Sequence, residues 1–129
     1  MIKVRGYNFS RPFYGERVPQ HIQNIVIRDF CKNNHLNFLM SVTEYTMENS
    51  FLILNDIIED FRSVDGIVAY SMFQMPSNDK HRLKIFHNIL KKKKKIYFAC
   101  ENLRITNKEE LKRIENIWFI KKQSNISEK

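Results

Sequence analysis

The polar side chains best suited to hold a ligand are concentrated between Gly6 and Arg28. Two arginines, Arg11 and Arg17, flank a loop that leads into a predicted helix beginning at Pro19. Guanidinium groups and the open N–H groups of a helix N-terminus both bind phosphates and carboxylates. Because the loop contains only Gly15, it lacks the glycine pattern of dinucleotide-binding and Walker loops. The segment therefore predicts an anion site, with the alternative that one arginine pairs with a nearby glutamate and stabilises the loop.

Two residues are candidates for catalysis. Ser10 could be a nucleophile, although no base is identifiable near it in the sequence and loop serines more often form structural hydrogen bonds. Glu44 follows a predicted buried strand and faces the arginines, so it is the better candidate for moving a proton. No cluster of His, Cys and Asp has metal-ligand spacing, and we expect neither a metal nor another cofactor.

Further residues are predicted to contact the ligand because they are polar and follow strands or open the first helix. They are Asn8, Gln20, Gln23, Asn24, Tyr45, Ser71 and Gln74. Amides offer a donor and an acceptor together, which suits hydroxyl-rich ligands, and Tyr45 could stack on a sugar or a base. The alternatives are a polar outer helix face for Gln20 and core packing for the tyrosine.

Hydrophobic patterns predict alternating strands and helices. The strands are Ile2–Tyr7, Leu36–Thr43, Ile67–Tyr70 and Ile96–Cys100; the helices begin at Pro19, at Asn49 or Ser50, after the capping residue Ser77, and at the capping box Thr106–Glu109. This order predicts an α/β fold, a single-domain three-layer sandwich with a mostly parallel four-stranded sheet and helices on both faces. We assign residues 1–122 to this domain and 123–129 to a polar tail. Ligands bind beyond the carboxyl ends of such strands, which places the polar residues together.

Composition limits the other possibilities. The net charge is +8, but much of the excess lies in the run 91–95, which is most simply a solvated basic turn. No apolar run is long enough to span a membrane, and two distant cysteines favour reduced thiols in a cytoplasmic protein. The segment Ile117–Ile120 is apolar on all sides, so we expect it to pack against another copy in a homo-oligomer.

Two families resemble this chain. Across roughly residues 2–105 the layout looks like the catalytic domain of serine recombinases (resolvases), a flavodoxin-like arrangement. That family has Tyr-x-Arg-Val-Ser at the first strand, where this chain has Gly6–Ser10 with Asn8 at the arginine position. Its Asp-Arg-Leu-x-x-Arg segment is replaced by Tyr70–Met75, which contains no arginine. The resemblance therefore implies the fold without recombinase activity.

A second resemblance rests on the stretches Gly6–Phe13, Arg17–Asn24 and Glu44–Asn49. It covers nearly the whole chain and is to sporadic carbohydrate cluster proteins of bacteria. It implies a setting in surface-polysaccharide (O-antigen or capsule) biosynthesis, with no established reaction.

Three hypotheses follow. The first is a protein that binds or converts an anionic sugar, either a sugar phosphate or a nucleotide sugar. The second is a non-catalytic accessory protein of the polysaccharide machinery, with an exposed apolar patch formed by Phe9, Phe13, Met72, Phe73 and Met75. The third is a degenerate recombinase-like binder of nucleic acid. It is ranked last because it needs a basic face and because no recognition helix follows the domain, so nucleic acid is the unlikely partner.

Overall fold

Strands and helices alternate through most of the chain in the computed structural model, which describes residues 1–13, 16–47 and 50–127, with only the backbone for 125–127. The elements are β1 (Lys3–Phe9), α1 (Gln20–Asn33), β2 (Asn37–Glu44), α2 (Leu52–Glu59), β3 (Gly66–Ala69), a 3-10 turn (Met72–Gln74), α3 (Asp79–Lys91), β4 (Lys95–Phe98), β5 (Leu103–Ile105) and α4 (Lys108–Ser127). Gly15 and Asn49 lie outside the described residues.

The strands form one sheet in the order β2-β1-β3-β4-β5. The first four are parallel, and β5 is antiparallel to β4. The prediction of a mostly parallel α/β sheet is confirmed, but the count of four strands is wrong. The chain turns back at Asn102, whose φ of 54° is left-handed, a conformation that asparagine tolerates better than most residues. This reversal places Leu103–Ile105 beside β4 as a fifth strand.

Helices cover both faces of the sheet. Helix α1 packs Ile27, Phe30 and Cys31 against Val4 and Val68 on one face. Helices α2, α3 and α4 contribute to the larger core on the other face. The apolar residues recur at helical spacing on each helix, so each presents one apolar stripe to the sheet. This arrangement leaves the carboxyl ends of the parallel strands at one common edge.

The hypothesis of an exposed apolar patch is wrong. Phe9, Phe13, Met72 and Met75 are buried in the larger core, and Phe73 is half-buried. The 3-10 turn after β3 directs the two methionines inward. These aromatic and methionine side chains therefore stabilise the fold.

All four helices begin one or more residues later than the sequence predicts, including α1 at Gln20 and α2 at Leu52. Asn78 caps α3, and Ser77 does not. At α4, Asn107 takes the position predicted for Thr106, because its side chain accepts a 2.8 Å hydrogen bond from the N–H of Glu110. Both asparagines offer a short acceptor to an otherwise unpaired helix N–H group.

The lysine run lies at the pole opposite the candidate site. Its Lys92 ammonium donates a 2.6 Å hydrogen bond to the carbonyl of Ile58, and Lys94 donates one of 2.9 Å to the carbonyl of Val64. The first of these satisfies a carbonyl in the last turn of α2. Part of the run is thus structural, whereas Lys91 is exposed.

Helix α4 is held against α3 by the buried Arg82. The guanidinium forms two hydrogen bonds with Glu115, at 2.7 and 2.8 Å, and one of 2.7 Å with Asp79. It also lies 4.3 Å from the ring centre of Trp118, which is fully buried in this chain. Trp118 is therefore core, contrary to the expected contact with another copy. A homo-oligomer through the exposed remainder of this segment stays a prediction.

Helix α4 continues past residue 122 to Ser127, so it is longer than predicted. The division between a domain and a tail at that residue stays a prediction. In the described ranges, no helix is both long and apolar enough to cross a bilayer.

Replacing Glu115 with alanine should lower the free energy of unfolding by about 2 kcal/mol, because Arg82 would remain buried without its bidentate partner. Urea denaturation followed by circular dichroism measures this change. Asn116→Ala, at an exposed neighbour on the same helix, should change stability by less than about 0.5 kcal/mol. Equal losses in the two variants would contradict the role of Arg82.

Candidate functional site

The predicted ligand residues do meet at the carboxyl edge of the sheet. Residues from β1, β2, the start of α1 and the turn after β3 lie in contact there. Parallel strands with a common direction require this convergence. Most of these side chains, however, are bonded to one another, so the edge is divided into a closed network and an open cleft.

Gln23 is fully buried at the centre of the closed network. Its Oε1 accepts hydrogen bonds from the N–H of Phe9 at 3.0 Å and from Nε2 of Gln74 at 2.8 Å. Its Nε2 donates to the carbonyls of Phe9 and Val18, both at 2.8 Å. An amide has two donors and two acceptor sites, so Gln23 has no further capacity for a ligand.

Ser71 and Gln74 form a capping box around the 3-10 turn. The Ser71 hydroxyl donates a 2.8 Å hydrogen bond to one oxygen of Glu101, whose other oxygen accepts from the N–H of Met72 at 2.8 Å. These contacts make all three polar residues structural supports for the edge.

Asn8 and Asn24 bond to each other across β1 and α1. Asn8 is fully buried and donates to Asn24 at 2.8 Å. The Thr43 hydroxyl lies 2.7 Å from the Asn8 amide oxygen and 3.4 Å from that of Gln20. Gln20 is exposed and remains accessible to a ligand.

Arg11 points into the protein. Its guanidinium donates hydrogen bonds to three carbonyls in the connection between β2 and α2, those of Tyr45 (2.7 Å), Met47 (3.1 Å) and Ser50 (2.9 Å). It also lies 4.0 Å from the centre of the Phe9 ring. This geometry favours a structural role for Arg11, through backbone carbonyls and not through the expected glutamate. Tyr45 is exposed, with its backbone carbonyl as the anchor.

Glu44 is 1% exposed and is surrounded by hydrogen-bond donors. They are the hydroxyls of Tyr7 and Ser50 and the backbone N–H groups of Tyr45, Ile53 and Leu54, at 2.9 to 3.4 Å. Two of these N–H groups belong to the first turn of α2, so the carboxylate caps that helix from a neighbouring strand. Burial, with the adjacent Glu44 charge, raises the pKa of Tyr7, which therefore remains a proton donor. The enclosure of Glu44 gives no support to proton transfer with a bound ligand.

The open cleft lies at the start of α1 and has a volume of about 380 Å³. It is lined by Ser10, Arg17, Val18, Pro19 and Gln20. Arg17 is exposed, and no hydrogen bond or ion pair engages it within the described ranges. Helix α1 has no side-chain cap and no acidic residue in its first turn. The positive end of the helix and the Arg17 charge are therefore both directed to the same space.

Ser10 is half-buried at the end of β1. Its hydroxyl lies 3.5 Å from the carbonyl oxygen of Glu44, at the limit for a hydrogen bond. In the part of the chain that the structure describes, no carboxylate or imidazole accepts a hydrogen bond from this hydroxyl. The geometry thus provides no general base for Ser10.

Sequence analysis missed Cys100 and Tyr70, which line a neighbouring cleft of about 230 Å³. Each follows a buried strand, and the edge rule could have found both. Burial, with the charges of Glu101 and Glu16, raises the pKa of the Cys100 thiol despite its hydrogen bond with Tyr70. That hydrogen bond, followed by burial, raises the pKa of Tyr70 to about 12. Both groups are protonated at neutral pH, which argues against a nucleophilic thiolate.

No group of three or more His, Cys, Asp or Glu that could hold a metal ion occurs in residues 1–13, 16–47 and 50–127.

Glu44→Gln should lower the free energy of unfolding by about 2 kcal/mol, because an amide N–H would face donors that now meet a carboxylate. Thermal and urea denaturation measure the change. Asp56→Asn, an exposed carboxylate on α2, removes the same charge at the surface and should have little effect. A Glu44→Gln variant as stable as the parent protein would contradict the capping role.

Comparisons with known proteins identify the fold. No protein-family model and no curated protein sequence matches the chain. The chain is similar to the crystal structure of a resolvase family site-specific recombinase from Streptococcus pneumoniae, with a TM-score of 0.63 and 10% identity, over 97% of this chain and 92% of that one. It is also similar to the N-terminal catalytic domain of TP901-1 integrase, with a TM-score of 0.52 and 12% identity, over 97% and 99% of the two chains. The fold is therefore that of a resolvase-type catalytic domain.

These likenesses correct the functional predictions. A role in polysaccharide or O-antigen biosynthesis is wrong, since the similar solved structures are recombinase domains, and the resemblance to carbohydrate cluster proteins has no support. The expected anionic sugar ligand, and the ranking of nucleic acid as the unlikely partner, are contradicted by the same structures. The shared property is the resolvase-like α/β fold.

Proposed function

We propose that the protein binds double-stranded DNA at the cleft lined by Ser10, Arg17 and Gln20, and that it does so without cutting the strand. One observation carries the proposal. The exposed Arg17 lies beside the uncapped N-terminus of α1, at the end of the first strand of a recombinase-type fold. A cytoplasmic location belongs to this proposal.

The chemistry of the cleft suits a backbone phosphate. A guanidinium offers paired donors to phosphate oxygens, and the first N–H groups of a helix add further donors and a positive potential. The exposed Gln20 amide can donate another hydrogen bond. The net charge of +8 favours association with a polyanion, and the two similar solved structures support DNA as that polyanion.

Strand cleavage requires more than a serine at this position. A hydroxyl that attacks a phosphodiester must lose its proton to a base, and the phosphoryl group needs cationic groups to stabilise its developing charge. Arg11 is directed into the protein, and Asn8 stands where the recombinase motif has an arginine. Among the described residues that line the cleft, Arg17 is then the remaining cation. These features support binding without phosphoryl transfer.

Arg17→Ala should weaken DNA binding about fivefold near 0.1 M salt and lower the slope of log affinity against log salt by about one, because one phosphate contact is lost. Fluorescence anisotropy with a labelled duplex over a salt series measures both quantities. The matched control is Arg62→Ala, which removes an exposed arginine at the opposite pole. An equal effect of both variants would show that net charge alone acts, and binding insensitive to salt would contradict the phosphate contact.

Ser10→Ala should leave DNA affinity unchanged, and neither protein should form a covalent adduct with DNA. Denaturing gel electrophoresis after incubation with supercoiled and linear DNA tests this, since a phosphoserine link survives denaturation. A DNA-linked species or a nicked product, present with the parent chain and absent with Ser10→Ala, would overturn the non-catalytic part of the proposal.

A further inference from the structure

A separate cleft lies beside the edge strand β5, between the C-terminal end of α1 and the first turns of α4. Its volume is about 290 Å³. Residues from α1, β4, β5 and α4 line it, including Phe30, Tyr97, Arg104 and Arg113. None of these residues was singled out in the sequence, and none lines the cleft at Ser10. The volume is close to the lower end of small-molecule sites, roughly 300 Å³.

Tyr97 contributes a hydroxyl donor to the wall of the cleft. Tyr97 is 5% exposed, and within the described ranges its hydroxyl forms no hydrogen bond. The hydroxyl is open to the cleft, so it can donate a hydrogen bond to a molecule bound there. Burial raises the pKa of Tyr97, and the group therefore offers a proton to an acceptor at neutral pH.

The charges in the cleft favour an anion. Arg113 is exposed, and no ion pair or hydrogen bond engages it in the described part of the chain. Arg104 uses its Nε to bond one oxygen of Glu110 at 3.1 Å, which leaves the two terminal nitrogens of its guanidinium without a partner in these ranges. The other Glu110 oxygen accepts hydrogen bonds from the N–H and hydroxyl of Thr106. The cleft is thus lined by two guanidinium groups and by one carboxylate, which is already hydrogen-bonded.

Glu110 remains ionised in this setting. Partial burial acts to raise its pKa, but the hydrogen bonds from Thr106 and Arg104 outweigh that effect and hold the pKa below its ordinary value. The cleft consequently has one excess positive charge at neutral pH, with fork-shaped donors of the kind that bind phosphate.

The remaining lining residues suit a planar group. Phe30 and Tyr97 have ring centres 6.0 Å apart and give the cleft an aromatic wall. Asn34 and Asn102 also line it, and the Asn34 amide nitrogen is bonded to the Phe30 carbonyl while its oxygen faces no donor in the described ranges. Side-chain amides recognise the donor and acceptor edges of nucleobases.

We propose that this cleft binds a free nucleoside monophosphate, with the phosphate held by Arg104 and Arg113 and by the Tyr97 hydroxyl, and the base beside Phe30 and the two asparagines. The site is independent of the DNA contact at Arg17, because the two clefts share no residue.

Isothermal titration with the four common ribonucleoside monophosphates tests the proposal, with inorganic phosphate and a 5′-phosphorylated single-stranded oligonucleotide as further arms. At least one mononucleotide should bind more tightly than inorganic phosphate. Arg113→Ala should weaken it about tenfold through loss of a charge-assisted contact. Tyr97→Phe should weaken it about fivefold through loss of one hydrogen bond, with little change in melting temperature since the hydroxyl has no partner in the fold.

The matched control is Lys112→Ala, which removes an exposed charge on the same turn of α4 outside the cleft and should leave affinity unchanged. Equal binding of inorganic phosphate and mononucleotides would overturn the assignment of a nucleotide. Binding of the oligonucleotide alone would assign the cleft to nucleic acid and also overturn it, as would equal losses in Arg113→Ala and Lys112→Ala. The Arg17→Ala variant should titrate like the parent chain, so failure of the DNA proposal and failure of this one give different results.

Discussion

The carboxyl edge of the sheet depends on one side-chain amide, that of Gln23. The N–H and carbonyl of Phe9 point to the same side of β1 as those of Tyr7, whose carbonyl accepts a hydrogen bond from the N–H of Tyr70, just after β3. The pairing of β1 with β3 ends at Tyr7, so no residue of β3 lies opposite Phe9 to bond its backbone groups. The side-chain amide of Gln23 bonds both the N–H and the carbonyl of Phe9. It therefore makes the hydrogen bonds that the backbone of a further β3 residue would make. Because the same amide also bonds Val18 and Gln74, three segments meet at one buried point. The oxygen and the nitrogen of this amide are both fully hydrogen-bonded within the protein. Gln23 therefore connects these segments and has no group left to contact a ligand.

The order of strands and helices was predictable because hydrophobic periodicity reflects local backbone geometry, which is the same in any fold. The fifth strand was not predictable in this way. Leu103–Ile105 is too short to carry a pattern, and its direction depends on the left-handed backbone of Asn102. The burial of Trp118 also depends on a distant residue, Arg82, which the sequence presents as one more surface cation. Features set by contacts between remote segments left no local signal.

The candidate site shows the same difference between features that the local sequence determines and features that depend on contacts between remote segments. Topology alone places Ser10, Arg11 and Arg17 near one edge, and that part of the prediction needs no side-chain detail. In the sequence the two arginines are equivalent, since each lies in the same loop before the same helix. In the fold, Arg11 lies over Phe9 and holds the carbonyls of a segment more than thirty residues away, whereas Arg17 is exposed. Which cation remains accessible is decided by the packing of the connection between β2 and α2.

The burial of Trp118 has a spectroscopic consequence. It is the single tryptophan of the chain, and it lies where α3, α4 and the turn after β3 meet, with Phe73 at 5.1 Å and the Arg82 guanidinium above its ring. An indole enclosed in this way emits at shorter wavelength than one in water. Its fluorescence therefore reports the docking of one helix, separately from the circular dichroism of the whole chain. If α4 leaves the domain while the sheet stays intact, the emission shifts to longer wavelength before the dichroism changes.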